Sequence, residues 1–108
     1  MLNMRDNRGE FRSVALTKNL GNDWIEHHTS YKDLRDPVCM ASIIKAQVNV
    51  KGQKKNILFF SNANSSTARM NMTIKASLDL GETWPAKNHL LLDERTGYGY
   101  SAMVKYLL

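Results

Sequence analysis

Residues Ser77-Leu78-Asp79-Leu80-Gly81-Glu82-Thr83-Trp84 decide how the chain is read. They fit the pattern Ser-x-Asp-x-Gly-x-Thr-Trp, and each fixed position has a mechanical reason. Short polar side chains such as Asp79 and Thr83 hydrogen-bond the backbone of a tight turn. Gly81 supplies the positive φ that turning back onto an antiparallel partner demands. Trp84 is expected to begin the returning strand and to pack its ring over the hairpin. The flanks agree: Met70 to Ala76 alternates as a half-buried strand, and His89 to Leu92 is apolar enough to be another.

A degenerate copy stands earlier, at Thr17-Lys18-Asn19-Leu20-Gly21-Asn22-Asp23-Trp24. Thr17 replaces Ser, Asn19 replaces Asp, Gly21 and Trp24 are kept, and Asp23 stands where Thr83 stands. The offset of 60 residues (77 − 17) suits one four-stranded blade with a long loop, and such repeats mark β-propellers. Between and around the two turns, strands are expected over Met1 to Arg5, Phe11 to Leu16, Ala41 to Val48 and Asn56 to Ser61. Lys51 to Lys55 is expected to turn the chain, and Ser61 to Ala68 to form a polar loop. Gly97-Tyr98-Gly99-Tyr100-Ser101 opens a last strand, Ala102 to Leu107. The fold class is therefore all-β: a partial β-propeller with one complete four-stranded antiparallel blade and parts of its two neighbours. The 108 residues form one segment, with a half blade at about 1–30, a full blade at about 40–93 and the first strand of the next blade at about 98–108. Propellers need at least about four blades to close. The chain is expected to be a piece of a larger protein, with the remaining blades N- and C-terminal to it and Met1 an internal methionine.

Composition narrows the function classes. Hydrophobic content of 43% and charged content of 23% fit an ordinary globular domain, and no run approaches the roughly 18 apolar residues of a membrane span. The N-terminus lacks the apolar stretch of a signal peptide. One cysteine, Cys39, rules out an internal disulfide. The net charge of +5 is spread along the chain, and its only cluster, Lys51, Lys54 and Lys55, falls in a turn. That distribution argues against nucleic-acid binding and suits an acidic substrate. His27, His28 and His89 have no ligand spacing for a metal, no carboxylate cluster is spaced for calcium, and no cofactor is implied.

Three further motifs extend the reading beyond the turns. Leu2-Asn3-Met4-Arg5, followed by Arg12-x-Val14, comes just before the first turn. Phe60-Ser61-Asn62-Ala63, with Arg69 beyond it, precedes the second, and Gly99-Tyr100-Ser101 follows. In order and spacing these resemble the C-terminal part of bacterial exo-α-sialidases (neuraminidases), whose eight-residue turns are Asp boxes. Asp36-Pro37-Val38-Cys39-Met40-Ala41-Ser42 also resembles that family, in the form found in gut-dwelling lineages. Ala63 departs from it, standing where the family usually has proline.

The resemblance implies a hydrolase that removes terminal α-linked sialic acid from glycoconjugates with retention and without a cofactor. Arg5 and Arg69 match the second and third of the arginines that hold the substrate carboxylate. Guanidinium suits that role because its planar fork of donors stays charged at any working pH. Tyr100 matches the nucleophile; sialidases attack through tyrosine rather than a carboxylate. A neutral phenol suits an anomeric carbon that already carries a repelling carboxylate, but it needs a base, since an ordinary tyrosine titrates near about 10. Tyr98, two residues earlier on the same face, would line the pocket rim. The family's glutamate base, aspartate acid and first arginine have no matching positions here, so the isolated chain is expected to be inactive. Sialylated glycans would be the partners, and the parent protein would be secreted, periplasmic or at the cell surface. The alternative is a non-catalytic glycan-binding or structural Asp-box module. The two arginines would serve a binding module equally well, whereas only the enzyme needs Tyr100.

Overall fold

The computed structural model describes residues 1–106. Its strands form two antiparallel sheets. The first contains β1 (Leu2–Met4), β2 (Ser13–Leu16) and β3 (Ile25–Glu26), in that order. The second contains β4 (Ser42–Val50), β5 (Gln53–Ala63), β6 (Met72–Ser77) and β7 (His89–Asp93), again in chain order. Consecutive antiparallel strands joined by turns are what the alternating segments and turn residues require.

The two eight-residue turns have the same construction. Leu80 and Gly81 take φ of 57° and 93°, and Leu20 and Gly21 take 57° and 92°. In the second turn Gly81 N donates to Ser77 Oγ at 2.8 Å and Thr83 N to Asp79 Oδ1 at 2.9 Å. In the first, Gly21 N donates to Thr17 Oγ1 and Asp23 N to Asn19 Oδ1, both at 2.9 Å. The cross-turn side-chain bond survives with its polarity reversed. Thr83 Oγ1 donates to Asp79 Oδ2 at 2.5 Å, whereas Asn19 Nδ2 donates to Asp23 Oδ2 at 2.7 Å. The substitutions at positions 19 and 23 therefore compensate each other.

Several boundaries differ from expectation. Trp84 does not begin a strand; Pro85 and a 3-10 turn at Ala86–Asn88 intervene, and β7 starts at His89. Trp84 is nonetheless buried, edge-on to Phe60 with ring centroids 5.8 Å apart, while its counterpart Trp24 is 45% exposed. The β4–β5 hairpin turns on two residues only, Lys51 and Gly52, both at positive φ as in a type I′ turn, so both strands run further than the apolar residues suggested. Phe11 makes only an isolated bridge to Arg35, leaving β2 to start at Ser13. No strand forms over residues 98–106, and Leu107 lies outside the described residues. This segment has no ladder partner there and is pinned by hydroxyls instead. Ser101 Oγ donates to the Ser61 carbonyl at 2.9 Å, and Met103 N donates to Ser42 Oγ at 3.0 Å.

The core lies where the segment linking the two sheets packs on the second sheet. Leu34, Phe60 and Trp84 are buried together, with Ala41 and Leu58 against them. Much of the rest of this interface is polar: Arg12, Asp36, Asn62, Thr73, Lys75 and Ser77 are all buried. The Arg12 guanidinium and the Lys75 ammonium lie 5.8 and 5.9 Å from the Phe60 ring, within cation–π range.

Candidate active site

The site is assembled on the loop at residues 36–40. Asp36 is its anchor. Oδ2 accepts from Cys39 N at 2.8 Å, and Oδ1 accepts from Asn62 Nδ2 at 3.0 Å and faces Arg12 Nη1 at 3.4 Å. Arg12 in turn donates from Nη1 to the Cys39 carbonyl at 2.7 Å and from Nε to Asn3 Oδ1. One buried ion pair thus ties β1, β2, the loop and the end of β5 together, and it fixes Cys39. Burial pushes the Arg12 pKa down, Asp36 opposes that shift, and the charge of Arg5 adds to it.

Cys39 offers its carbonyl to Arg12, and its side chain acts on the charge of Arg69. The Cys39 side chain is the main cause of a raised Arg69 pKa, with Tyr100 contributing next. Arg69 Nη2 donates to Tyr100 Oη at 3.4 Å, and the guanidinium carbon lies 5.0 Å from the centre of the Tyr100 ring. Gly97 N donates to the Arg69 carbonyl at 2.8 Å, which holds the glycine-rich segment bearing both tyrosines against the loop before β6. Gly99, at φ 135°, supplies a conformation that side chains resist.

Of the four residues singled out in the sequence, three line one cleft of about 320 Å³: Arg69, Tyr98 and Tyr100. Tyr98 is fully exposed at its rim and Tyr100 half-exposed. Arg5 does not line this cleft; it is exposed just past β1, close enough to Arg12 to act on its charge. The cleft also holds Asp93 and Arg95, which the sequence did not single out. They pair at 2.7 Å, and Arg95 holds Asp93 down at a pKa of about 2. Their i, i+2 spacing just past an apolar strand gave no sign of a site. Cys39 is a buried thiol.

A fold of Asp-box turns and antiparallel blades, with arginines and tyrosines lining one cleft, defines the class: a segment of a β-propeller. The comparisons with known proteins then name the relatives. No family model matches the chain. It is 55% identical over 105 residues to a sialidase of Bacteroides fragilis (strain YCH46), covering 95% of this chain and 19% of that protein. It is 40% identical over 88 residues to a sialidase of Micromonospora viridifaciens, covering 79% of this chain and 13% of that one. Among solved structures, the Hadza microbial sialidase Hz136 superposes with a TM-score of 0.82 at 50% identity, over 93% of this chain and 19% of that one. The chain is a homologue of one stretch of the bacterial sialidases, and it spans about a fifth or less of the length of these relatives.

Proposed function

We propose that the chain carries part of the substrate site of an exo-α-sialidase acting on terminal α-linked sialic acid of glycoconjugates. The observation that carries this reading is the contact of Arg69 Nη2 with Tyr100 Oη at 3.4 Å. A carboxylate accepting from Arg69 would bring the carbon beside it within reach of the phenol oxygen. Arg5 lies outside this cleft and would contribute a second cation only to a ligand that reaches from the cleft to the first sheet, and Tyr98 would meet the glycerol tail or the aglycone at the rim.

In this mechanism a base outside the cleft described here takes the Tyr100 proton as the phenol oxygen bonds to the anomeric carbon. The bond to the aglycone oxygen breaks, and an acid supplies that oxygen with its proton. Water, giving a proton to the group that acted as acid, then attacks from the face the aglycone left; Tyr100 departs and recovers its proton from the base, and the two inversions give overall retention. Among the described residues the hydrogen-bond partner of Tyr100 Oη is a cation, Arg69, which cannot act as the base. This supports the expectation that residues 1–108 alone give no turnover. Leu90, Leu91 and Leu92 on the outer strand β7 are all more than half exposed, which supports a neighbouring blade in the longer protein.

The test is covalent trapping by a fluorinated sialic acid in the longer protein. Label on Tyr100, lost together with turnover in Tyr100→Phe, supports the enzyme. Sialoside binding unchanged by Tyr100→Phe, with no label, would instead indicate a non-catalytic binding module. Release of a fluorescent aglycone by the 108-residue chain itself would refute its inactivity.

A further inference from the structure

We propose that His27, His28 and Glu82 form a zinc-class metal site that ties the first sheet to the box turn of the second. The histidines follow β3, and Glu82 comes from a turn 54 and 55 residues further along the chain. His27 Nε2 lies 3.2 Å from Glu82 Oε1, and His28 Nε2 lies 2.8 Å from Oε2. The three donor atoms all fall within 4.8 Å of one another. A tetrahedral ion with bonds of about 2.0–2.1 Å holds its ligand atoms about 3.3 Å apart, so small side-chain movements would admit it. Two imidazoles and one carboxylate suit a borderline ion such as Zn²⁺, whereas calcium and magnesium ask for oxygen throughout.

The surroundings fit a three-ligand site. The His27 side chain is buried, and its Nδ1 lies 2.7 Å from Thr29 Oγ1, a partner that orients the ring. An ion on Nε2 would require the His27 ring proton on Nδ1, where the Thr29 hydroxyl could accept it in place of the 3.3 Å bond that Nδ1 receives from Thr29 N. The side chains of His28 and Glu82 are 58% and 57% exposed, which leaves room for water as a fourth ligand. The turn itself does not use the Glu82 side chain: its hydrogen bonds run among Ser77, Asp79, Gly81 and Thr83. None of the three residues lines the Arg69–Tyr100 cleft, so the site stands whether or not that cleft binds sialic acid.

The test is a Zn²⁺ titration of the metal-free 108-residue chain, followed by histidine ring ¹⁵N shifts and by thermal melting. Saturation at one ion per chain is expected, with His27 and His28 shifting at Nε2, His89 unmoved and the melting temperature rising with zinc. His28→Ala and Glu82→Gln should each weaken zinc at least about tenfold, as even losses around a metal's ligands do. The exposed His28 can be removed without disturbing the buried His27. Shifts of all three imidazoles alike, as an unordered chain would give, overturn the proposal. So does zinc affinity untouched by both substitutions, or no saturable binding.

Discussion

Replacing Lys75 by methionine should stabilise this protein at neutral pH and remove a pH dependence in the alkaline range. Lys75 is 1% exposed, with its Nζ donating to Asn64 Oδ1 at 2.9 Å as its hydrogen-bond partner among the described residues. Burial pushes its pKa down from 10.5 to about 8; Asp36 partly offsets this and Arg35 adds to it. At about 1.4 kcal/mol per tenfold change in proton affinity, that fall corresponds to a penalty on the order of 3 kcal/mol for keeping the ammonium in the fold. The folded pKa is below the unfolded one, so the unfolded chain binds more protons between about pH 8 and 10.5. Stability therefore rises with pH across that window, and the full penalty applies below it. Methionine keeps the length and apolar stem. It forfeits one hydrogen bond to the half-buried Asn64, worth about 1.5–3 kcal/mol with a charged donor. The net gain at pH 7 is then about 1 kcal/mol. Urea unfolding of both proteins at pH 7, 8, 9, 10 and 10.5 reads the difference, in which the tyrosines and Cys39 cancel. A gap that closes as pH rises bears out the reasoning. A variant less stable than the parent at pH 7, or a gap constant from 7 to 10.5, would refute it.

Three other outcomes follow from the same structure. Asp36→Ala leaves Arg12 buried without its counter-charge and should cost about 3–5 kcal/mol, seen as a large fall in melting temperature. Gly81→Ala combines φ of 93° with a Cβ 2.9 Å from Met1 Cε and 3.3 Å from Leu58 Cδ1. The Met1 side chain can swing away, so the backbone strain dominates, at about 1–2 kcal/mol by urea denaturation. Asp79 is held at a pKa of about 2 by Thr83 and then Ser77, so its contribution is present above about pH 4 and lost as pH falls through 2. NMR titration of the Asp79 carboxyl should find that midpoint, and it should move toward the ordinary value in Thr83→Val.

How much was legible in the sequence depends on the range of the interaction. The box turns were legible because every hydrogen bond in them closes within four residues, and even the exchange of Asp and Thr for Asn and Asp kept its meaning. Strand ends were not: Gln53, Lys54 and Lys55 read as part of a turn but are rungs of a hairpin whose turn needs only Lys51 and Gly52. The alternation in β6 marked a strand without showing its orientation. Thr73, Lys75 and Ser77 face inward while Met72, Ile74 and Ala76 are only half-buried; Lys75 meets Asn64 and the Phe60 ring there and feels the charges of Asp36 and Arg35. In the cleft, Tyr98, Tyr100 and Arg69 were accessible through motifs. Asp93 and Arg95 were not, nor was the meeting of Glu82 with His27 and His28, because only the folded chain places them together.

Arg69 and the Tyr98–Tyr100 segment are proposed to hold a sialic acid by its carboxylate. The most direct measurement is an amide-shift titration of the 108-residue chain with N-acetylneuraminic acid and with its methyl ester. Shifts centred on Gly97 to Ser101 are predicted for the acid. Affinity should fall by about 10–100-fold for the ester and likewise in Arg69→Met, as the loss of charge-assisted hydrogen bonds of about 1.5–3 kcal/mol requires. Equal binding of acid and ester, or shifts lying away from this segment and unchanged in Arg69→Met, would contradict it.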